Sequence, residues 1–259
     1  MNLLTKYDNI KPGKPKCDAI EIAFQNYNGS MIVNKNRRRI SMENHYYSNA
    51  REVYTEMRKK VGKIYYIMGK SASGKDRVYE SLIEDPSLAL EPLVLYTTRP
   101  IRSGETDGKE YYFVDQDRLN KLREAGKIIE ERSYNTVHGI WHYFTADDGQ
   151  IDLVSKDYLG IGTLESYVKL QKYYGKEKLC PIYVEVEDGI RLERALQRER
   201  KQEQPKYAEL CRRFLADNED FSEKHIQEAG ITQHFPNNKE FSNCLEKIHK
   251  FIQEHQKTL

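Results

Sequence analysis

The sequence predicts an α/β fold in which a parallel sheet core is flanked by helices, with a small N-terminal extension ahead of it. From residue 61 onward, short runs of β-branched and aromatic residues alternate with segments of helical periodicity. That alternation is typical of parallel strands joined by crossover helices. The most apolar run, Ile64–Met68, has five residues. It is long enough for a buried strand and far short of the roughly 20 residues that cross a bilayer.

Charge and cysteine usage exclude several classes of protein. The 259-residue chain carries 42 Lys and Arg against 40 Asp and Glu, a net charge of +2, which points to neither a nucleic acid nor a membrane partner. The four cysteines form no CxxC pair, which excludes a zinc ribbon and favours reduced thiols in a cytoplasmic protein. The first residues lack the apolar run and cleavage site of a signal peptide, so we expect no secretion.

The charge is unevenly distributed, and this supports a boundary near residue 60. Residues 1–60 hold 12 basic and 6 acidic residues, whereas residues 61–259 hold 30 and 34. We expect residues 1–60 to form an extension with a loose arm, a hairpin around Asn28-Gly29, and a helix that begins at Asn49. Residues 61–259 then form the main domain.

Within that domain the expected elements follow in order along the chain. Strands are predicted at residues 64–68, 93–96, from 128, at 158–162 and at 182–186;. Helices are predicted at residues 75–84, 115–125, 190–201, 207–219 and 244–255;.

The first strand runs directly into a GxxxxGK motif at residues 69–75. Glycines let a backbone wrap a phosphate, the following helix presents N–H groups and its positive dipole, and the lysine reaches the β- and γ-phosphates. We therefore predict an ATP-binding phosphate loop, a P-loop, made of Gly69, Ser71, Ala72, Ser73, Gly74 and Lys75 and continued by Asp76.

A second group of residues suits a phosphomonoester. Arg99 and Arg102 lie three residues apart after a predicted strand, and Tyr111 follows. Guanidinium groups bind phosphate through two parallel hydrogen bonds, and a phenol adds a donor. Taken alone, the same arginines could simply be surface residues.

The residues around them resemble the GMP-binding stretch of guanylate kinases. Residues 97–113 read TTRPIRSGETDGKEYYF, and the family pattern is TTRxxRxGExxGxxYxF. Residues 126–130 resemble the G-x-F-[IL]-E of the family, and residues 137–145 resemble its HGNYYGT. Arg213 and Glu219 fall where the family has an R-[LM]-x-x-A-x-x-E helix. The resemblance covers about residues 61–258.

The resemblance implies roles for individual residues. Arg99, Arg102, Tyr111 and Tyr143 would hold the GMP phosphate. Glu130 would accept hydrogen bonds from the guanine N1–H and amine, which adenine does not offer at that edge, and Thr145 would also contact the base. Two departures bear on the base: an insertion at Ile140-Trp141-His142, and Glu131-Arg132 in place of a usual Trp-Ala pair.

The resemblance also implies a GMP-binding lobe near residues 95–145 and a lid near residues 188–206. Phosphoryl transfer works mainly through alignment and through cations on the transferring oxygens. Lys75, Mg²⁺ and arginines of the lid region would supply those cations. The candidate arginines are Arg194, Arg198, Arg200 and Arg213.

Asp76 departs from the family pattern, in which Ser or Thr follows the lysine and an Asp lies on a later strand. The corresponding strand here, residues 158–162, carries no acid. Our hypothesis is that Asp76 supplies this negative charge near Mg²⁺, which needs few carboxylates. The alternative is that Asp76 only caps its helix, where the dipole favours acids.

The sequence therefore predicts ATP-dependent phosphoryl transfer to GMP or dGMP. One alternative is a kinase for another (deoxy)nucleoside monophosphate, because Lys-Asp at this point also occurs in some phage-type nucleotide kinases. Another is a non-catalytic guanylate-kinase-like module that binds peptides. Such modules typically lose the loop glycines and lysine, and the presence of Gly69, Gly74 and Lys75 favours an enzyme.

Overall fold

A computed structural model describes residues 61–136 and 139–257 of the chain. The arm, hairpin and helix predicted for residues 1–60 lie outside the described residues, so they stay predictions.

The main sheet has five strands, all parallel. Strand β1 (Ile64–Met68) lies at its centre, between β7 (Asp157–Gly162) and β8 (Leu179–Glu185). The outer strands are β2 (Leu90–Pro92) beside β7 and β9 (His234–Pro236) beside β8. This arrangement confirms the predicted α/β fold with a parallel sheet core.

Seven helices occur in the part of the chain that is described, and three of them, α1 (Lys75–Ile83), α3 (Leu164–Tyr174) and α7 (Phe241–Lys257), pack against the central strand of this sheet. On one face α1 and α7 pack against Tyr65 and Ile67, and on the other α3 packs against Tyr66 and Met68. Every residue of β1 is fully buried, because alternate side chains of a central strand point to opposite covered faces. The helices are α1 (Lys75–Ile83), α2 (Gln116–Glu124), α3 (Leu164–Tyr174), α4 (Asp188–Arg200), α5 (Tyr207–Asp220), α6 (Glu223–Glu228) and α7 (Phe241–Lys257).

A second sheet of four strands occupies the segment predicted for the acceptor lobe. Its longest strands, β5 (Ile128–Thr136) and β6 (Gly139–Ala146), form an antiparallel ladder. Strand β3 (Tyr96–Thr97) pairs with β6, and β4 (Tyr112–Phe113) pairs with β3. Tyr96, Phe144, Leu119 and Leu122 form the small core that joins this sheet to α2.

The strand predicted at residues 93–96 is wrong in its bounds. Residues 93–95 are buried but belong to no strand, because the chain passes there from one sheet to the other. Leu93 N–H still donates to Leu159 of the main sheet, and Leu95 already accepts from Tyr112 of the second sheet. The strand that starts at Ile128 runs for nine residues, since the inserted residues 140–142 lie within β6 and lengthen the hairpin.

No helix among the described residues is both long enough and apolar enough to cross a membrane. Cys180, Cys211 and Cys244 are free thiols, and Cys17 lies outside the described residues. Burial raises the pKa of Cys180 and of Cys244 to about 11, so both are neutral at pH 7;.

Candidate active site

The GxxxxGK motif lies where it was predicted, between the end of β1 and the start of α1. Two of its glycines are required by geometry. A side chain at Gly69 would approach the Val184 carbonyl oxygen to 2.5 Å, and Gly74 has a φ of +88°, in the left-handed region that favours glycine. The shape of the loop therefore requires glycine at both positions.

Asn237 holds the loop from the end of β9. Its Nδ2 donates to the Ser73 carbonyl at 2.9 Å, and both residues are buried. Ser73 Oγ and Asn237 Oδ1 find no hydrogen-bond partner among the described residues. Sequence reasoning missed Asn237, because 164 positions separate it from Ser73 and an Asn-Asn pair carries no distinctive pattern.

The loop also contacts the helices of the predicted lid region. The Ser71 N–H donates to the Asp217 carboxylate at 2.7 Å, and Lys70 Nζ donates to Asn218 Oδ1 at 2.8 Å. A loop amide that already binds a carboxylate is able to bind an anion, as expected of a phosphate loop.

Arg191 organises this contact and was not among the predicted lid arginines. It is 1% exposed and its guanidinium pairs with Asp188 at 2.9 Å and Asp217 at 3.2 Å. The ring of Phe214 lies 3.9 Å from its central carbon. The spacing of Asp188 and Arg191, three apart in a helix, was the only available signal in the sequence.

Asp76 stands at the exposed end of the loop, where its Oδ2 lies 3.7 Å from Lys75 Nζ. Strand β7 carries one acid, Asp157, at the end far from the loop, where it accepts from the Lys63 N–H at 2.8 Å. The end beside the loop has no room for another. A side chain at Gly162 would meet the Tyr66 hydroxyl, and one at Gly160 would lie 2.7 Å from the Tyr66 ring. The Tyr66 hydroxyl in turn bonds Ser166 at 2.7 Å, so a tyrosine fills the space beside β7.

Arg99 is held in place before any ligand binds. It is 3% exposed, and its two terminal nitrogens each donate to Glu105 at 2.8 Å. The hydrogen bond from Arg99 lowers the pKa of Glu105 to about 2. Arg99 Nε is buried and has no partner among the described residues, which leaves a charged donor for a phosphate oxygen.

Tyr111 and Tyr143 stand next to Arg99. Their ring centres are 5.6 Å apart, and the Arg99 guanidinium lies 5.6 Å from the Tyr111 ring. Burial raises the pKa of Tyr111, and nearby Tyr143 and Asp76 add to the effect. Tyr111 also packs against the core cluster that contains Tyr66 and Met68 of β1, the strand that leads into the phosphate loop.

Arg102 does not join that group. It is exposed at the rim of a cavity of about 690 Å³, which Arg198 and Arg213 also line. Arg200 is exposed and is not part of this lining, and Arg194 donates to the Asn237 carbonyl at 3.0 Å. Of the predicted lid arginines, the structure therefore brings Arg198 and Arg213 towards the acceptor block.

Glu130 and Thr145 lie together, as predicted, but Arg132 lies with them. Glu130 is 2% exposed and accepts from Arg132 Nε at 3.0 Å, Arg132 Nη2 at 3.3 Å and Thr145 Oγ1 at 3.0 Å. Arg132 Nη1 also donates to Thr163 Oγ1 at 3.2 Å. Removing one partner from a buried ion pair typically costs about 3–5 kcal/mol. The predicted base-reading carboxylate is thus part of a fixed pair.

Comparisons with known proteins agree with this geometry. The sequence model of the family described as guanylate kinase matches residues 61–144. A guanylate kinase of Aliivibrio fischeri is 28% identical over 116 residues, which are 43% of this chain and 56% of the relative. One from Bordetella pertussis is 39% identical over 79 residues, which are 30% of this chain and 34% of the relative. The matched part thus spans between about a third and just over half of these two relatives.

A solved structure extends the likeness in fold. The crystal structure of guanylate kinase from Anaplasma phagocytophilum matches with a TM-score of 0.53 and 23% identity, over 77% of this chain and 89% of that chain. The family match includes the phosphate loop, Arg99, Tyr111, Glu130 and Tyr143. It ends before Thr145 and the lid region, so the roles of Arg198, Arg200 and Arg213 stay predictions.

Proposed function

We propose that this chain, whose residues 61–144 match the guanylate kinase family model, transfers the γ-phosphoryl group of ATP to GMP or dGMP. The observation that supports this most is that Arg99, Tyr111 and Tyr143 lie together and that Tyr111 packs against the core at Met68, the end of the strand that leads into the phosphate loop. One site suits a nucleoside triphosphate and the other a phosphomonoester.

In the proposed reaction the loop amides and Lys75 hold the phosphates of ATP. Arg99, oriented by Glu105, and the hydroxyls of Tyr111 and Tyr143 hold the acceptor phosphate, whose oxygen attacks the γ-phosphorus. When the lid region closes, Arg102 would join Arg99 on the acceptor phosphate, and Arg198 and Arg213 would bring positive charge to the transferring oxygens. Such a reaction needs alignment and charge rather than a strong general base.

The residues of the loop fit Mg²⁺. The described residues contain no group of three or more His, Cys, Asp and Glu side chains that could hold a metal ion, but Mg²⁺ is commonly bound by one or two carboxylates together with substrate phosphates. Asp76 is the carboxylate next to Lys75, and we propose that it binds Mg²⁺ directly or through water. When bound, the ion would neutralise charge on the phosphates.

One observation bears on each of the two alternatives to this proposal. The pairing of Arg132 with Glu130 favours a kinase for a different nucleoside monophosphate. A non-catalytic peptide-binding module is disfavoured, because the loop keeps both of its glycines and Lys75. We propose the cytoplasm, where ATP and nucleoside monophosphates occur, as the site of action.

A coupled assay of ADP release tests the proposal with GMP, dGMP, AMP, UMP and dTMP as acceptors, and with Lys75→Met as the control. We expect release with GMP and dGMP that depends on Lys75. Release with another acceptor alone would favour the different kinase. No release with any acceptor, together with no binding of ATP, would favour the module.

A further inference from the structure

The base end of the acceptor site is lined by an ion pair rather than by a lone carboxylate. A carboxylate has about four positions for accepting hydrogen bonds. Arg132 and Thr145 occupy three of those on Glu130. Guanine would need two accepting positions, one for its N1–H and one for its amine. Only one is left, so the two groups cannot both bind Glu130 while Arg132 remains paired with it.

Arg132 is anchored on both sides. Its side chain is 8% exposed, and that of Glu130 is fully buried. Its remaining bonded nitrogen donates to Thr163, the residue that caps the start of α3. Moving Arg132 away would leave the Glu130 charge buried with only a hydroxyl partner, which is strongly unfavourable. The pair therefore persists when an acceptor binds.

Arg132 also lies where it can contact the base of an acceptor nucleotide. It lies directly opposite Tyr143 in the ladder between β5 and β6, and opposite residues of an antiparallel pair have neighbouring side chains on one face. Tyr143 belongs to the proposed phosphate end of the site. One nucleotide can therefore extend from Tyr143 and Arg99 to Arg132.

We infer that Arg132, positioned by Glu130 and Thr163, is the residue that contacts the acceptor's base, and that it does so as a donor to a carbonyl oxygen. This inference rests on the proposed function and changes how the base is read. A guanidinium has five N–H donors, and the three bonds to Glu130 and Thr163 leave two of them. In this arrangement Glu130 is a positioning residue.

Because the Arg132 guanidinium only donates hydrogen bonds, it selects acceptors whose base carries an oxygen at C6. The substrate class is therefore nucleoside monophosphates with a 6-oxopurine base. Guanine and hypoxanthine both carry an oxygen at C6, whereas adenine carries an amine, a second donor that would face the guanidinium. Glu130 has at most one accepting position left, and the N1–H that guanine and hypoxanthine share competes for it, so no position is reserved for the 2-amino group that distinguishes guanine. The pocket thus accepts GMP and inosine monophosphate and rejects AMP.

The decisive measurement compares kcat/KM for GMP, inosine monophosphate and AMP. We expect GMP and inosine monophosphate to agree within about threefold, because no hydrogen bond depends on the 2-amino group. A preference for GMP of about tenfold or more would overturn the inference, because one hydrogen bond from the 2-amino group to a charged carboxylate is worth about tenfold to a hundredfold.

Variants separate this role from a purely structural one. Arg132→Met should lower kcat/KM for both oxopurine acceptors by about tenfold or more, the effect of losing a charged hydrogen bond, while the KM for ATP stays unchanged. Arg132→Lys, which keeps a charged donor, should restore part of the loss. An unchanged or improved KM for GMP in Arg132→Met would overturn the inference, because Arg132 would then only occupy Glu130.

Arg123→Met is the matched control, because Arg123 forms a similar ion pair with Glu131. Glu131 follows Glu130 in β5, so its side chain points to the opposite face of the sheet. The substitution should leave acceptor use unchanged. Calorimetric titration with GMP and inosine monophosphate measures the same selectivity without turnover. If no acceptor is phosphorylated but both bind equally and Arg132→Met weakens both, the proposed function fails and the inference holds.

Discussion

Single residues of the acceptor site are oriented before substrate binds, and Arg99 shows how. Its guanidinium is fixed by Glu105, stands beside the rings of Tyr111 and Phe113, and keeps one buried N–H unpaired. A group held in this way loses little conformational freedom when it binds a phosphate. The unpaired donor is costly in the free protein, which favours binding of an anion there.

We predict that Arg99→Ala and Arg102→Ala each raise the KM for GMP much more than the KM for ATP. A charged hydrogen bond contributes about 1.5–3 kcal/mol, which corresponds to about tenfold to a hundredfold. Steady-state kinetics with each substrate varied in turn measures both constants. Arg118→Ala, at an exposed position in α2, is the control. An equal loss for the two substrates would contradict the assignment.

For Asp76 we predict that Asp76→Asn raises the Mg²⁺ concentration needed for half-maximal rate and slows turnover. The amide keeps the size of the side chain and removes only its charge. Asp117→Asn makes the same change in the first turn of α2, where only the helix dipole, worth about 0.3–1 kcal/mol, is affected. If Asp76→Asn changes neither the Mg²⁺ requirement nor the rate, Asp76 does not act near the metal.

Glu105 gives a prediction about stability and pH. Its pKa is lowered from the ordinary 4.5 to about 2 by Arg99, so its ionised form stabilises the folded state. That contribution is complete above pH 4.5 and is lost as the pH falls towards 2. The difference in thermal midpoint between wild type and Glu105→Gln should therefore shrink across this interval. A constant difference would show that Glu105 does not act through its charge.

At the scale of elements, the lid region is joined to the phosphate loop by buried charge. Arg191 of α4 and Asp217 of α5 pair with each other, and Asp217 also accepts from the Ser71 amide of the loop. A phosphate that takes the Ser71 amide would compete with Asp217. Binding of ATP and the position of α4 and α5 are therefore coupled through one carboxylate.

We predict that Arg198→Ala and Arg213→Ala lower kcat by about tenfold or more, as removal of a charge that stabilises the transition state does. Both residues line the cavity that Arg102 also borders, whereas Arg200 does not. Arg200→Ala is therefore the matched control on the same helix. A larger effect for Arg200 than for Arg198 would show that the closed lid presents a different arginine.

Local patterns explain which elements could be predicted. The loop between β1 and α1 was predictable because its strand, glycines and lysine are contiguous in sequence. Residues 93–95 were not, because an apolar run has the same pattern whether it stays in one sheet or passes to another. The ion pair of Arg132 and Glu130 could not be predicted, because it depends on which face of β5 is buried. The replacement of the usual Trp-Ala pair by Glu131-Arg132 did indicate that this part of the site differs from the family pattern.

For the molecule as a whole, the two proposed substrate sites lie on two different sheets. The parallel sheet carries the phosphate loop, and the second sheet carries Arg99, Tyr111, Tyr143 and Arg132. Arg132 also links them, through its bond to Thr163 at the end of β7. Ligands of parallel sheets commonly bind at the carboxyl ends of the strands. In the proposed site the parallel sheet supplies the ATP side there, and the second sheet supplies the acceptor side.

We predict that the first 55 or so residues are not needed for phosphoryl transfer, because every residue assigned to the site lies after residue 61. A chain that begins at Glu56 should keep the kcat of the full chain within about twofold, since it keeps every residue assigned to the site. Circular dichroism would establish that it folds. A folded but inactive short chain would place part of the site in the N-terminal segment.

The central claim is that one phosphoryl group passes from ATP to a nucleoside monophosphate. The most direct test is chromatographic separation of all nucleotides after incubation of the protein with ATP, Mg²⁺ and GMP. The predicted result is equal amounts of ADP and GDP, lost in Lys75→Met. The appearance of ADP with inorganic phosphate and no nucleoside diphosphate from the acceptor, or unchanged ATP with every acceptor offered, would contradict the claim.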